Sequence, residues 1–214
     1  MRGPLGRARS LARAVLIGII ITMITVSLQP LSPNKILTLI AALIGLSTVS
    51  CFADPVFLSV NSTPYDRQMT RIQPVLITKN SEHKENVSLG LVNHWIQDLR
   101  GIPYGFSAEW KTPAEVESAA FADCKGKAVA LYEKMHSYGA QNVRLVIGRR
   151  AWTSRKTHAW LEWTTESGTY LLDPTLNWTA YRSADVGNHS YIPLYAYAGA
   201  RKYRAASGTL LAKN

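Results

Sequence analysis

The sequence predicts an α+β protein in which a helix that begins at a cysteine packs on an antiparallel β-sheet, behind an apolar N-terminal leader. Three observations predict it. Apolar side chains recur every four residues over about 86–100 and again at helical spacing after Cys124. Beyond Gly139 the period falls to two, over Val143–Ile147 and Thr157–Thr164. Residues 1–53 carry Arg2, Arg7, Arg9, Arg13 and Lys35 but no acid, around two long apolar runs. A chain of 214 residues is most simply one domain with an appendage.

The leader comes first. Ala14–Leu31 is broken late by Pro30, and Ile36–Val49 follows Pro33-Asn34-Lys35. The second run has the length of a signal-peptide core and is short for a membrane span. Small residues and then Asp54-Pro55 follow it, so cleavage after Ala53 is the preferred reading, with Met23 as an alternative start. A retained anchor, associating with the membrane through residues 14–49, is one rival reading. Lipidation of Cys51 is another. Each of them places the protein in the periplasm, outside the cell or on a membrane. Beyond the leader the net charge drops from +10 to +5, which removes most of the support for a nucleic-acid partner.

Residues 54–85 form an N-terminal extension, in which Pro55–Val60 and Gln73–Thr78 read as short strands. The domain proper is expected over 86–214. Val87, Leu91, Trp95 and Leu99 mark its first helix, which Gly101-Ile102-Pro103 ends. Thr112-Pro113-Ala114-Glu115 is a capping box with proline at the first helical position, opening a short helix over about 113–121. Ala128, Leu131, Tyr132 and Met135 define the next helix, and Cys124 falls in its first turn. Lys125 and Lys127 add positive charge there or face solvent. Then come the strand Val143–Ile147, the basic loop Gly148–Lys156 around Trp152, and the strand Thr157–Thr164. His158, Trp160 and Glu162 share one face of that strand; Ala159, Leu161 and Trp163 share the other. A turn at Thr165–Gly168 leads to Thr169–Asp173, ended by Pro174. The tyrosine-rich tail, with Tyr191-Ile192-Pro193-Leu194-Tyr195, reads as a last strand packed on the sheet.

Chemistry concentrates between Ala122 and Thr175. With Cys51 in the leader, Cys124 is the one cysteine of the mature chain, so in an oxidising compartment it has no disulfide partner. At a helix N-terminus, free N–H groups and the helix dipole stabilise a thiolate and the oxygen of a tetrahedral intermediate. A hairpin of Thr157–Thr164 with Thr169–Asp173 brings Asp173 near His158. Nucleophile, base and orienting acid thus follow in the order Cys124, His158, Asp173. A buried inert thiol is the bland alternative.

Asp-Cys-Lys-Gly-Lys-Ala, His-Ala-Trp-Leu-Glu and Leu-Leu-Asp-Pro-Thr resemble the core of the transglutaminase-like superfamily, a relative of the papain fold. Leu91-Val92-Asn93, Pro103-Tyr104, Trp110–Glu115 and Tyr191–Tyr195 resemble the bacterial transglutaminase-like cysteine proteinases within it. The resemblance covers roughly residues 87–200. It implies an exported cysteine peptidase with Cys124 as nucleophile, His158 as base and Asp173 as orienting acid, acting on a protein or peptide of the cell envelope. Known members include periplasmic enzymes that clip surface adhesins and use calcium. Here Lys125 and Gly126 stand where acidic residues commonly follow the cysteine, so neither calcium nor any other cofactor is expected. For the oxyanion, the backbone N–H of Cys124 is the first donor expected, and the indole of Trp110 or Trp95 is a candidate second. Three functions compete: hydrolysis of a peptide or isopeptide bond through a thioester, transglutaminase-type acyl transfer by the same residues, and a non-catalytic binding domain on this fold.

Overall fold

The computed structural model describes residues 56–78, 87–187 and 190–206. The leader expected over 1–53, with its cleavage, anchoring and lipidation readings, lies outside them. Strand β1 (Phe57–Val60) is followed by a short helix α1 (Gln73–Ile77), then by α2 (Leu89–Gly101), α3 (Pro113–Glu117) and α4 (Cys124–Ser137). Strands β2 (Val143–Arg149), β3 (Thr157–Thr165), β4 (Gly168–Leu172), β5 (Tyr181–Arg182), β6 (Ile192–Ala198) and β7 (Arg201–Ala205) complete the order. The architecture is α+β: an antiparallel sheet in the order β1-β7-β6-β2-β3-β4-β5, packed against helices. Among the described residues no helix is long and apolar enough to cross a membrane.

The helices begin and end for local reasons. Ser88 caps α2 by accepting from the Leu91 N–H at 3.2 Å. Thr112 and Glu115 close the expected capping box: the Glu115 carboxylate accepts from the Thr112 N–H at 2.8 Å, and the Thr112 hydroxyl from the Glu115 N–H at 3.4 Å. The helix they open is shorter than expected, ending at Glu117. Gly139, with φ of +84°, stops α4 in the left-handed region that glycine enters without a Cβ clash.

Two expectations fail in the extension and tail. Gln73–Ile77 is helical, not a strand, with Thr78 as its C-cap. Pro74 sits in the first turn, where its missing N–H costs nothing, and Met69, Ile72 and Leu76 are buried at the helical spacings of three and four. The tail holds three strands, β5, β6 and β7, not one. Gly199, with φ of +61°, turns β6 into β7, and β6 pairs with β2 in the interior of the sheet.

Helix α4 packs on β2 and β3 and is touched by α1, α2 and α3. Val129 and Ala130 are as buried as the expected stripe of Ala128, Leu131, Tyr132 and Met135, because this helix is surrounded. Leu145, Ile147, Ala159, Leu161 and Leu172 belong to the same core. Each large apolar side chain removed from water there contributes about 1.5–3 kcal/mol. The opposite face of the sheet carries a smaller cluster of Val146, Trp160, Leu171 and Ala196. The alternation expected along β3 is therefore present.

Gly148 sits opposite His158 in the β2–β3 register, where the pairing of β2 with β6 shifts. A Cβ there would lie 2.2 Å from the Ile192 carbonyl oxygen and 2.4 Å from the Trp160 ring. Gly148→Ala is therefore expected to cost about 1–3 kcal/mol, read as a lower urea midpoint with an unchanged slope.

Candidate active site

Cys124 is the first residue of α4, and Asp123 is its cap: the Asp123 Oδ1 accepts from the Gly126 N–H at 3.0 Å. The α3 helix packs close to this turn. A Cβ on Gly126 would lie 3.0 Å from Val116 Cγ2 and 3.6 Å from Lys111 Cβ, so glycine permits that approach. Cys124 is 8 % exposed, at the edge of the core.

His158 occupies the second position of β3, and its Nε2 lies 2.7 Å from Asp173 Oδ2. The Cys124 side chain lies close enough to the ring to raise its pKa. With Nε2 engaged by Asp173, the nitrogen left for the sulfur is Nδ1. Asp173 follows the last residue of β4 and is fully buried. Four donors converge on it: His158 Nε2 and the Tyr191 hydroxyl (2.7 Å) on Oδ2, and the N–H groups of Thr175 (3.0 Å) and Leu176 (3.2 Å) on Oδ1. The last two close an Asx-type turn against Pro174.

The electrostatics follow from these contacts. Burial pulls the His158 imidazole down, but its bond to Asp173, the nearby Cys124 and the Asp173 charge outweigh that and push it up to about 9. Burial pushes Asp173 up, and the His158, Tyr191 and Thr175 donors outweigh it, holding the carboxyl below its usual range. Burial and the adjacent Asp173 raise the Tyr191 hydroxyl. Both shifts favour the charged forms of the His158–Asp173 pair.

Tyr191 was not evident from sequence as a site residue; within a tyrosine-rich tail it reads as core packing. The structure gives it four contacts there. Its hydroxyl donates to Asp173 and accepts from Asn177 Nδ2 at 3.2 Å, its ring meets Trp160 edge-on at 5.1 Å, and the Arg150 guanidinium lies 3.8 Å from its centroid. Only the return of β6 beside β2 brings Tyr191 to this place.

The candidate oxyanion donors separate. Trp95 packs on Tyr138, the residue that ends α4, which is about 20 Å along the axis from Cys124. Trp110 precedes α3, next to the Lys111 that touches the Gly126 turn. It is buried, and its Nε1 has no hydrogen-bond partner among the described residues. The lysines are not free to face solvent. Lys127 is 1 % exposed and donates to the Ile102 carbonyl at 2.5 Å; burial and then Arg100 lower its pKa. Lys125 donates to the Ser107 carbonyl at 2.8 Å and pairs with Asp123 Oδ2.

No protein-family model matches the chain, and neither does any curated protein. Among solved structures, Legionella pneumophila LapG treated with EGTA matches with a TM-score of 0.50 at 15 % identity, over 68 % of this chain and 80 % of that one. The chain shares the LapG fold. Two more LapG structures from the same organism, one of them calcium-bound, match at 15 % identity with TM-scores of 0.49 and 0.48. They cover 70 % and 69 % of this chain, and 84 % and 85 % of LapG.

Calcium, which the sequence resemblance would bring with it, does not fit the turn at Cys124. Such an ion takes six to eight oxygens. Asp123 already spends Oδ1 on the Gly126 N–H and Oδ2 on the Ser107 N–H (3.2 Å), with the Lys125 ammonium against the latter oxygen. Among the described residues no group of three or more His, Cys, Asp or Glu side chains is placed to hold a metal ion.

Proposed function

We propose that the protein is an exported, transglutaminase-like cysteine peptidase that cleaves a peptide or isopeptide bond in a protein of the cell envelope. The observation that carries this reading is the chain of contacts from Cys124, at the start of α4, through His158 to the buried Asp173. Export rests on the apolar, acid-free leader.

In this reading His158 accepts the Cys124 proton, leaving a thiolate paired with an imidazolium that Asp173 holds in place. The sulfur attacks the amide carbonyl. The oxygen that becomes negative is met by the Cys124 N–H at the helix start and by the unpartnered Trp110 indole. His158 then protonates the leaving amine, and the resulting thioester is hydrolysed by water that His158 activates.

The test is the pH profile of Cys124 alkylation by iodoacetamide. At pH 5 free cysteine is only about 0.03 % thiolate, and its rate falls about tenfold per pH unit below 7. The proposed ion pair gives a rate nearly flat from pH 7 to 5. A rate that declines tenfold per unit would sink the reading. A labelled amine supplied with an acyl donor separates hydrolysis from transfer: incorporation into protein would count against a simple hydrolase.

A further inference from the structure

The start of α4 holds a charge pair that the proposed chemistry does not use. Asp123 is 1 % exposed, and a carboxylate that far from water requires compensation. Part of it comes from the Gly126 and Ser107 N–H groups. The rest comes from Lys125, two residues along, whose ammonium lies against Asp123 Oδ2, donates to the Ser107 carbonyl at 2.8 Å and sits 5.1 Å from the centre of the Phe106 ring. Ser107 is thereby clamped at both ends, its N–H on Asp123 and its carbonyl on Lys125. The clamp fastens the segment before α3 to the turn that carries Cys124.

A divalent ion bridging the Asp123 carboxylate and the Ser107 carbonyl would make the same two oxygen contacts and neutralise the same charge. The ammonium is already there, covalently attached, with three donors and no acceptor. It also needs no preformed cage of oxygens. We propose that Lys125 is a tethered cation doing the work of a structural divalent ion at this turn, so that the Cys124 site assembles and stays folded without metal. The inference does not depend on the peptidase reading, since it concerns how the turn is held.

Thermal unfolding of the full chain tests it without any substrate. In millimolar calcium chloride and in excess EGTA, the wild-type unfolding temperature is expected to agree within about 1 °C. Lys125→Met strands a buried carboxylate and is expected to lower it by about 10 °C, whereas Lys125→Arg keeps most of the stability. Adding Asp123→Asn to Lys125→Met removes the stranded charge and keeps an oxygen for the Gly126 N–H but sets NH2 against the Ser107 N–H, so about half of the loss is expected to return. If Lys125→Met does not fold, the double variant decides: regained folding supports the tethered cation, and continued failure overturns it. A several-degree loss in EGTA or gain in calcium for the wild type overturns it as well, as does an unshifted Lys125→Met. An unreactive Cys124 alongside the expected unfolding temperatures would remove the peptidase proposal and leave this one standing.

Discussion

Replacing His158 with alanine is expected to return Cys124 to the behaviour of an ordinary thiol. Alkylation at pH 5 should fall by about 10- to 100-fold, the gain in thiolate being offset in part by the lower intrinsic nucleophilicity of an acidic thiol. The flat profile between pH 7 and 5 should become a tenfold decline per unit. In the proposed mechanism, hydrolysis of a peptide substrate should drop further, by about 1000-fold or more, because there the imidazole also protonates the leaving amine. The fold should survive. Asp173 loses one donor but keeps Tyr191, Thr175 and Leu176, and the His158 side chain is itself 11 % exposed. Circular dichroism and the unfolding temperature check this directly. A His158→Ala protein that is folded yet keeps the flat profile would remove His158 as the base.

Much of this geometry was legible in the sequence because the chemistry is encoded locally. The Thr112–Glu115 box is a contact between residues three apart. The pairing of His158 with Asp173 needs only a hairpin, whose Leu161–Leu172 register brings the two ends together. Where the sequence misled, the deciding contact was distant. Gln73–Ile77 looked like a strand because a short apolar run has no clear period, and its helix is fixed by burying Ile72 and Leu76 in the main core. Pairing of β1 with β7 joins residues nearly 150 positions apart, as Phe57 with Ala205, and no local pattern announces it. Lys127 shows the same limit. Its charge suggested solvent, yet its Nζ ends on the Ile102 carbonyl, a partner that exists only once α2 and α4 have packed.

Asp173→Asn is expected to be nearly as damaging as loss of His158, although cysteine peptidases with an asparagine in the orienting position exist. The reason is the donor set. The Thr175 and Leu176 backbone groups can only donate, so they claim the oxygen of the new amide. Its NH2 group must then face the Tyr191 hydroxyl and His158 Nε2. A hydroxyl can turn to accept, but the imidazole accepts at Nε2 only by carrying its proton on Nδ1, the nitrogen that should take the proton of Cys124. The opposite amide orientation sets NH2 against two backbone N–H groups, which is worse. A loss of about 1000- to 10,000-fold in kcat/KM is expected, against about tenfold or less for Tyr191→Phe, which leaves the carboxylate in place. Stability should report the same change. In the wild type the His158 value of about 9 stands above its ordinary 6.5, so its stabilising contribution is complete below pH 6.5 and is lost as pH rises through 9. The depressed Asp173 makes the complementary contribution, present at neutral pH and lost on acidification through its folded value. Urea midpoints should therefore fall between pH 7 and 9 in the wild type and change little in Asp173→Asn. An Asp173→Asn protein keeping more than a tenth of wild-type activity, with the wild-type fall in midpoint, would mean that the carboxylate does not hold the imidazolium.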